Sequence, residues 1–227
     1  MRKIIVLLLA LVALHLASLP AVAAPEAVTD QTLMVGRAAT TLERLRTDAN
    51  LSGNLTNALH QARAVFIVPD LVKAGFLLGA QYGTGILLAR GTDGQWSGPA
   101  FYSVAAGSIG LQIGVQDAET VYVIMSEGGL QAIMADRFKL GAEAGLAVVT
   151  MGAGGEAATT SNVGADIYAF SRAVGLFGGA ALDGAAILPR HSWNAAYYGA
   201  TPLPEDILLQ RRFDSRQADR LRDSLSR

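Results

Sequence analysis

Between Asp30 and Asn50, Val35, Ala38, Leu42, Leu45 and Ala49 recur at alternating spacings of three and four, the period of a helix with one apolar face. Asp30 is the expected N-cap, and Arg37, Glu43, Arg44, Arg46 and Asp48 form a polar face of mixed sign. Such a face suits solvent or a protein surface better than a strongly anionic membrane. A second, shorter helix is expected from Leu55 to Ala62, with Asn54 as its cap.

From Ala64 onward the helical period disappears. Val65 to Val68, Gly75 to Gly79, Gly85 to Arg90, Ala100 to Ala105, Leu111 to Val115, Val121 to Met125, Gly145 to Val149, Ile167 to Phe170, Ala180 to Leu182 and Ala185 to Leu188 are apolar runs bounded by Gly, Pro or Asp, and read as strands. Leu111, Ile113 and Val115 alternate with Gln112, Gly114 and Gln116, whereas Val121 to Met125 is apolar on both sides. Part of the sheet should therefore be covered on two faces. A helical insert fits Gly129 to Phe138, and a terminal helix fits Glu205 to about Ser224, behind Pro202 and Pro204. The expected fold is α+β: an antiparallel β-sandwich or barrel-like core of many short Gly-rich strands, with N- and C-terminal amphipathic helices.

The start of the chain has its own pattern. Arg2 and Lys3 precede an apolar run from Ile4 to Leu19, and Ala21-Val22-Ala23 supplies the small-x-small motif of a cleavable signal peptide. The run is shorter than the ~20 residues a stable membrane span takes. Residues 1–23 are thus expected to be a leader removed after Ala23, and 24–227 a single domain. Within that domain lie a helical segment at 27–62, a core at about 60–210 and a basic helix at 205–227. The expected location is periplasmic or secreted.

Composition narrows the chemistry. The chain has 25 glycines, all after the leader and set among branched and aromatic residues, which speaks for tight turns rather than low-complexity disorder. It has no Cys, hence no disulfide, no thiolate nucleophile and no site for lipoprotein acylation. With 18 basic and 19 acidic side chains, and two of the basic ones in the leader, the body is mildly acidic; nucleic acid is not an expected partner. The only His beyond the leader are His60 and His191, too far apart for zinc-ligand spacing. There is no G-x-S-x-G elbow and no Walker phosphate loop. Gly152-Ala-Gly154-Gly-Glu-Ala157 meets the loose dinucleotide pattern but lacks a surrounding β-α-β alternation, and reads as a hairpin loop. Glu205 and Asp206 follow Pro204, where acids favour a helix start. No catalytic residue, metal or cofactor is assigned, and the chain is read as non-enzymatic.

An ordered set of segments carries a resemblance. Lys73-Ala-Gly-Phe76 is followed by Gly83-Thr-Gly85-Ile-Leu-Leu-Ala-Arg90, Trp96-Ser-Gly-Pro-Ala-Phe101 and Ser108-Ile-Gly-Leu-Gln-Ile-Gly114. Tyr168-Ala-Phe-Ser171, Gly175-Leu-Phe177-Gly-Gly179 and Asn194-Ala-Ala-Tyr197-Tyr198-Gly199 complete it. This succession resembles the SYLF domain family over about residues 60–210. The resemblance implies a lipid-binding domain: eukaryotic members are phosphoinositide-binding and actin-associated modules, and exported bacterial members are regarded as lipid binders. Actin is not a sensible partner for an exported chain. One departure is Val174, where the family often has Lys before Gly-Leu-Phe; Arg172 lies nearby.

The leading expectation is an exported lipid-binding protein of the envelope, meeting phospholipid or a membrane surface. The alternatives are an outer-membrane β-barrel or envelope structural protein, and an unrecognised hydrolase. Candidate lipid contacts are the rings of Phe76, Trp96, Phe101, Phe177, Tyr197 and Tyr198 and the cations Lys73, Arg90 and Arg172, although core packing explains the rings equally well. Candidate membrane-surface residues are Arg212, Arg216 and Arg220, at i, i+4 and i+8 of the terminal helix, beside an apolar stripe of Leu209, Phe213, Leu221 and Leu225. Interleaved acids make an ordinary docked helix the competing reading. Intact mass of the exported protein should correspond to a chain beginning at Ala24; a mass that retains Met1 to Ala23 would overturn the leader.

Overall fold

The three-and-four spacing folds as α1, Asp30–Thr47, in a computed structural model that describes residues 29–75, 78–109, 114–135, 138–139, 148–152, 166–174 and 185–227. The leader, Phe76, Leu111 to Ile113, Ala153 to Ala157, Phe177 and Ala180 to Leu182 lie outside the described residues. Thr29, one residue before the expected cap, accepts from the Thr32 amide at 3.2 Å, and Asp30 supplies the negative charge that favours the first turn. α2, Ser52–Gln61, begins early enough to put Asn54 inside the helix, so Asn54 does not cap it; Leu51 holds the cap position.

The strands are β1 Ala64–Gly75, β2 Leu78–Ala89, β3 Ala100–Ile109, β4 Gly114–Ile124, β5 Phe138–Lys139, β6 Val148–Gly152, β7 Ile167–Val174 and β8 Ala186–Pro189. They form one sheet in the order β5-β8-β3-β2-β1-β4-β7-β6, antiparallel except for the β6–β7 pair. The remaining helices are α3 Glu127–Met134, α4 His191–Tyr198, α5 Pro204–Leu208 and α6 Asp219–Ser226, with a 3-10 turn at Arg216–Ala218. The α+β class and the N-terminal amphipathic helix follow expectation. Among the described residues the sheet is not closed into the expected barrel-like core, because β5 and β6 stand at its two edges. Helices on both faces replace closure as the means of burying the strands.

Alternate positions feed two separate cores. Val65, Ile67, Ile86, Leu88, Phe101, Val121 and Phe170 meet α1, α2 and α6 through Ala38, Leu42, Leu45, Leu55, Leu59, Leu221 and Leu225. Phe66, Val68, Leu87, Tyr102, Tyr122, Ile124 and Ile187 meet α3 and α5 through Leu130, Ile133, Ile207 and Leu208. Two-sided burial is why the central runs do not alternate with polar residues.

The strands exceed their apolar runs. β1 is 12 residues long and carries a bulge, with the register to both neighbours shifting between Ile67 and Leu71 around Pro69, which has no N–H to give a ladder. The extra residue reverses the alternation: Leu71 stays in the second core with Val68, and Asp70, Val72 and Ala74 turn to the α1 side. β2 meets this bulge with glycine. A Cβ on Gly85 would lie 2.3 Å from the Ile67 carbonyl oxygen, and one on Gly83 would lie 2.7 Å from Val68 Cγ1 and 2.8 Å from the Asp70 carbonyl oxygen.

The terminal helix expected from Glu205 to Ser224 is interrupted. α5 ends at Leu208, Arg211 takes a left-handed φ of 52°, and the chain runs back past Gly98 before the 3-10 turn and α6. Asp206 secures the start of α5 by accepting from the Leu203 amide at 3.1 Å. Arg212, Arg216 and Arg220 consequently do not share one helical face. α4, which the apolar pattern did not announce, ends on Gly199 with φ 64°.

Gly85→Ala should destabilise the fold by about 1–3 kcal/mol, since backbone and an aromatic ring would have to shift. Gly36→Ala on the exposed side of α1, where a Cβ meets nothing within 4 Å, should instead gain about 0.5–1 kcal/mol. Urea denaturation of both variants checks the contrast.

Candidate functional site

The described aromatic candidates, Trp96, Phe101, Tyr197 and Tyr198, each pack against another ring or a guanidinium. Phe101 is wholly buried, its ring edge-on to Trp193 at 5.8 Å and to Tyr197 at 5.2 Å, and its amide donates to Asn194 Oδ1 at 2.7 Å. Tyr197 meets Tyr198 at 4.9 Å, and Tyr198 meets Phe213 at 5.5 Å while donating its hydroxyl to the Pro99 carbonyl at 2.9 Å. Burial drives the Tyr198 phenol well above its ordinary range, with Tyr197 and Asp214 adding to the rise. Trp96 is also buried, beneath the Arg90 guanidinium at 4.5 Å. This chain of rings clamps α4 and the segment around Phe213 onto β3. Gly98 permits it, because a Cβ there would lie 2.6 Å from both the Phe213 carbonyl oxygen and the Tyr198 hydroxyl.

Arg90, Arg172, Arg212 and Arg220 among the cationic candidates hold other parts of the fold. Arg90 donates to the carbonyls of His60 at 2.8 Å and Leu59 at 3.1 Å, closing the C-terminus of α2, and burial lowers its pKa. Arg172 lies 3.4 Å from Glu119 and 3.8 Å from Asp48. Lys73 sits in β1 opposite Gln81 and Gln116, on the face away from α1, where burial lowers its pKa. Arg212 reaches Asp206 at 3.1 Å and Arg220 reaches Glu43 at 3.0 Å, while Arg216 lies exposed in the 3-10 turn.

A groove opens elsewhere. Twelve-residue strands extend ~40 Å, whereas an 18-residue helix covers ~27 Å, so α1 leaves the far ends of β1 and β2 uncovered. Met34 and Arg37 of α1, Asp70, Val72 and Ala74 of β1, and Ala80 to Thr84 of β2 enclose about 520 Å³ there. The walls are apolar and open: Val72 is 43% exposed and Tyr82 54%. Leu33 on α1 and Val115, paired with Ala74 across β4, extend the exposed apolar surface.

One guanidinium, Arg37, lines this groove, and a second, Arg190, reaches one of its lining residues, Thr84. Arg37 pairs with Asp70, and Arg190, stacked on Trp193 at 3.8 Å, donates from Nη1 to Thr84 Oγ1 at 2.9 Å. Burial raises the Asp70 carboxyl above the usual range; Arg37 opposes the rise, and Asp117 and Glu119 add to it. None of the described sequence candidates lines the groove. A second hollow, of about 330 Å³, lies between Trp96, Phe213 and Arg222, and its cations are held by acids: Arg211 by Asp93 at 2.7 Å, and Arg222 by Asp214 and Asp219. Among the described residues no cluster of three or more metal-ligating side chains occurs, and no helix is long and apolar enough to cross a membrane.

These features define a helix-clad antiparallel sheet domain with an apolar surface groove. The family model described as "Ysc84: Las17-binding protein actin regulator" matches residues 105–227, so the chain belongs to the Ysc84 family, that of the SYLF domain. It is 31% identical over 144 residues to Protein YSC84 of Saccharomyces cerevisiae, across 62% of this chain and 31% of that protein. It is 32% identical over 133 residues to SH3 domain-containing YSC84-like protein 1 of Xenopus laevis, across 58% of this chain and 40% of that one. LAS seventeen-binding protein 3 of Saccharomyces cerevisiae is 29% identical over 146 residues, across 63% of this chain and 32% of its own length. The chain thus spans well under half the length of these relatives.

Arg90→Ala should cost about 1–3 kcal/mol, the penalty for leaving buried carbonyls of α2 without a donor. Its ligand binding, normalised to folded protein, should equal that of the wild type. A selective loss of binding at unchanged stability would return Arg90 to the ligand site.

Proposed function

We propose that this chain is an exported, non-enzymatic module that binds an anionic amphiphile, with the acyl portion in the groove between α1 and the far ends of β1 and β2. The observation that carries this reading is an exposed apolar trough with guanidiniums at its edge. Val72, Ala74, Ala80 and Tyr82 offer surface that gains by leaving water, and the volume falls within the ~300–1,000 Å³ usual for small-ligand sites. Arg37 and Arg190 supply the charge complement to a phosphate, as planar donors suited to paired oxygens. Phospholipid is the partner of choice, and the bacterial envelope is the proposed setting, on the strength of the leader-like start.

The family's description and the relatives' names concern Las17 binding and actin regulation, in proteins much longer than this chain. A protein partner on the same apolar surface is the second reading, favoured by the exposed Leu33 and Val115 that continue beyond the groove. The two differ in what a purified system does: a lipid site takes up a fluorescent phospholipid with no other protein present.

Val72→Ser combined with Tyr82→Ser should weaken that uptake about tenfold, since burying the two half-exposed side chains contributes on the order of 1–2 kcal/mol. Uptake should change little with salt, because burial of acyl surface is not screened, whereas Arg37→Gln should reduce the preference for anionic over neutral lipid. Absence of uptake by the folded wild type would overturn the lipid reading and favour a protein partner.

A further inference from the structure

Arg37 enters the groove from α1 already paired with a carboxylate of the protein's own. That carboxylate, Asp70, is the residue the β1 bulge turns from the second core to the α1 side. Both side chains line the groove, and the pair is partly open to water, with Arg37 54% and Asp70 33% exposed. Ion pairs of that exposure are weak enough to be exchanged for another anion. We propose that Asp70 is a built-in competitor for the headgroup: it holds Arg37 in the free protein, and neutralising it, by mutation or by acid, hands Arg37 to a lipid phosphate and tightens binding. This rests on the groove reading and adds to it how the site is regulated.

The surroundings of Asp70 give the direction. Arg37 faces it from α1, and Asp117 and Glu119 contribute from β4. Glu119 is itself engaged by Arg44 at 2.8 Å and Arg172 at 3.4 Å, so its effect is partly balanced, while Asp117 is exposed. Burial, with the two acids, outweighs Arg37 and raises the proton affinity of Asp70 above that of an ordinary aspartate. As pH falls, Asp70 is therefore neutralised before an aspartate of ordinary proton affinity would be, while a phosphodiester headgroup stays ionised. Acidification should strengthen binding to anionic lipid. His191 lies next to Arg190 in the chain, so the acid response must be compared between variants that both keep His191.

The test uses the full chain and vesicles of phosphatidylglycerol and phosphatidylcholine, with sedimentation as the readout. At neutral pH, Asp70→Asn should bind at least threefold more tightly than wild type. Asp117→Asn removes the same charge from the neighbouring strand, and should give a clearly smaller gain. In an Arg37→Gln background the Asp70→Asn gain should vanish. Lowering the pH into the carboxylate range should raise wild-type binding by a larger factor than that of Asp70→Asn, because only the wild type has this carboxyl to titrate. Equal gains from Asp70→Asn and Asp117→Asn, or a gain that persists without Arg37, would overturn the competitor and leave a general charge effect. Inorganic phosphate that displaces vesicles at equal phosphate concentration would overturn the lipid headgroup as the anion. The groove itself is judged separately: if Val72→Ser with Tyr82→Ser retains full uptake, the groove reading fails whatever Asp70 does, and if it loses uptake while Asp70→Asn changes nothing, only the competitor fails.

Discussion

One extra residue in β1 sets the geometry on which the groove depends. On the α2 side of the bulge, odd positions of β1 face α1 and the strand is buried on both faces; past it, Asp70, Val72 and Ala74 take that face. The bulge is tolerated because β2 presents Gly83 and Gly85 to it, where any side chain would meet the Ile67 or Asp70 carbonyls. The short Gly-Thr-Gly motif is thus one half of a strand-to-strand fit, and the loss of ladder bonding at Pro69 is the other. Thr84, between the two glycines, is left pointing toward Arg190.

Around that fit, charges act mainly as positioning contacts. Glu119 gathers Thr41, Arg44 and Arg172, binding the middle of α1 to β4 and β7. Arg63 links Glu127, at the start of α3, to the Arg90 carbonyl, and Arg90 closes α2, so three elements share two guanidiniums. Exposed pairs of this kind contribute little singly, but each fixes an orientation between elements whose apolar contacts alone would allow sliding. The contrast with Arg37 is one of neighbourhood: its partner lies beside open apolar surface, whereas theirs lie between packed elements.

Much of this was legible in the sequence, and the failures have identifiable causes. The period of α1 survived because a long amphipathic helix advertises its face within a few turns. Strand lengths were underestimated, since Gly79, Gly83 and Gly85 read as boundaries when two of them answer a bulge on another strand. The terminal helix was drawn too long: Leu209, Phe213, Leu221 and Leu225 keep a helical rhythm, but Phe213 belongs to the ring cluster on Tyr198. α4 was missed, as His191 to Tyr198 has aromatic residues where helix formers are expected, and its stability comes from Phe101 and Asn194. The aromatic candidates come from the segments that carry the resemblance, and their ring chemistry does not distinguish a core from a groove; that distinction lies in strand register and helix reach, both set by distant residues.

The contact between α1 and α6 has a consequence for the order of events during synthesis. Ala218, Leu221 and Leu225 complete the core that Val35, Ala38 and Leu42 begin, and Ser224 donates to Glu43 across 181 positions of chain. A chain emerging from its N-terminal end can bury α1 against β1 and β2, but leaves the strip of α1 that meets α6 exposed until α6 arrives. If it is threaded through a membrane, that delay is useful, because a domain that cannot close early stays unfolded enough to pass through a narrow channel. The same delay leaves that strip of α1 accessible to holdase chaperones for nearly the whole length of translation.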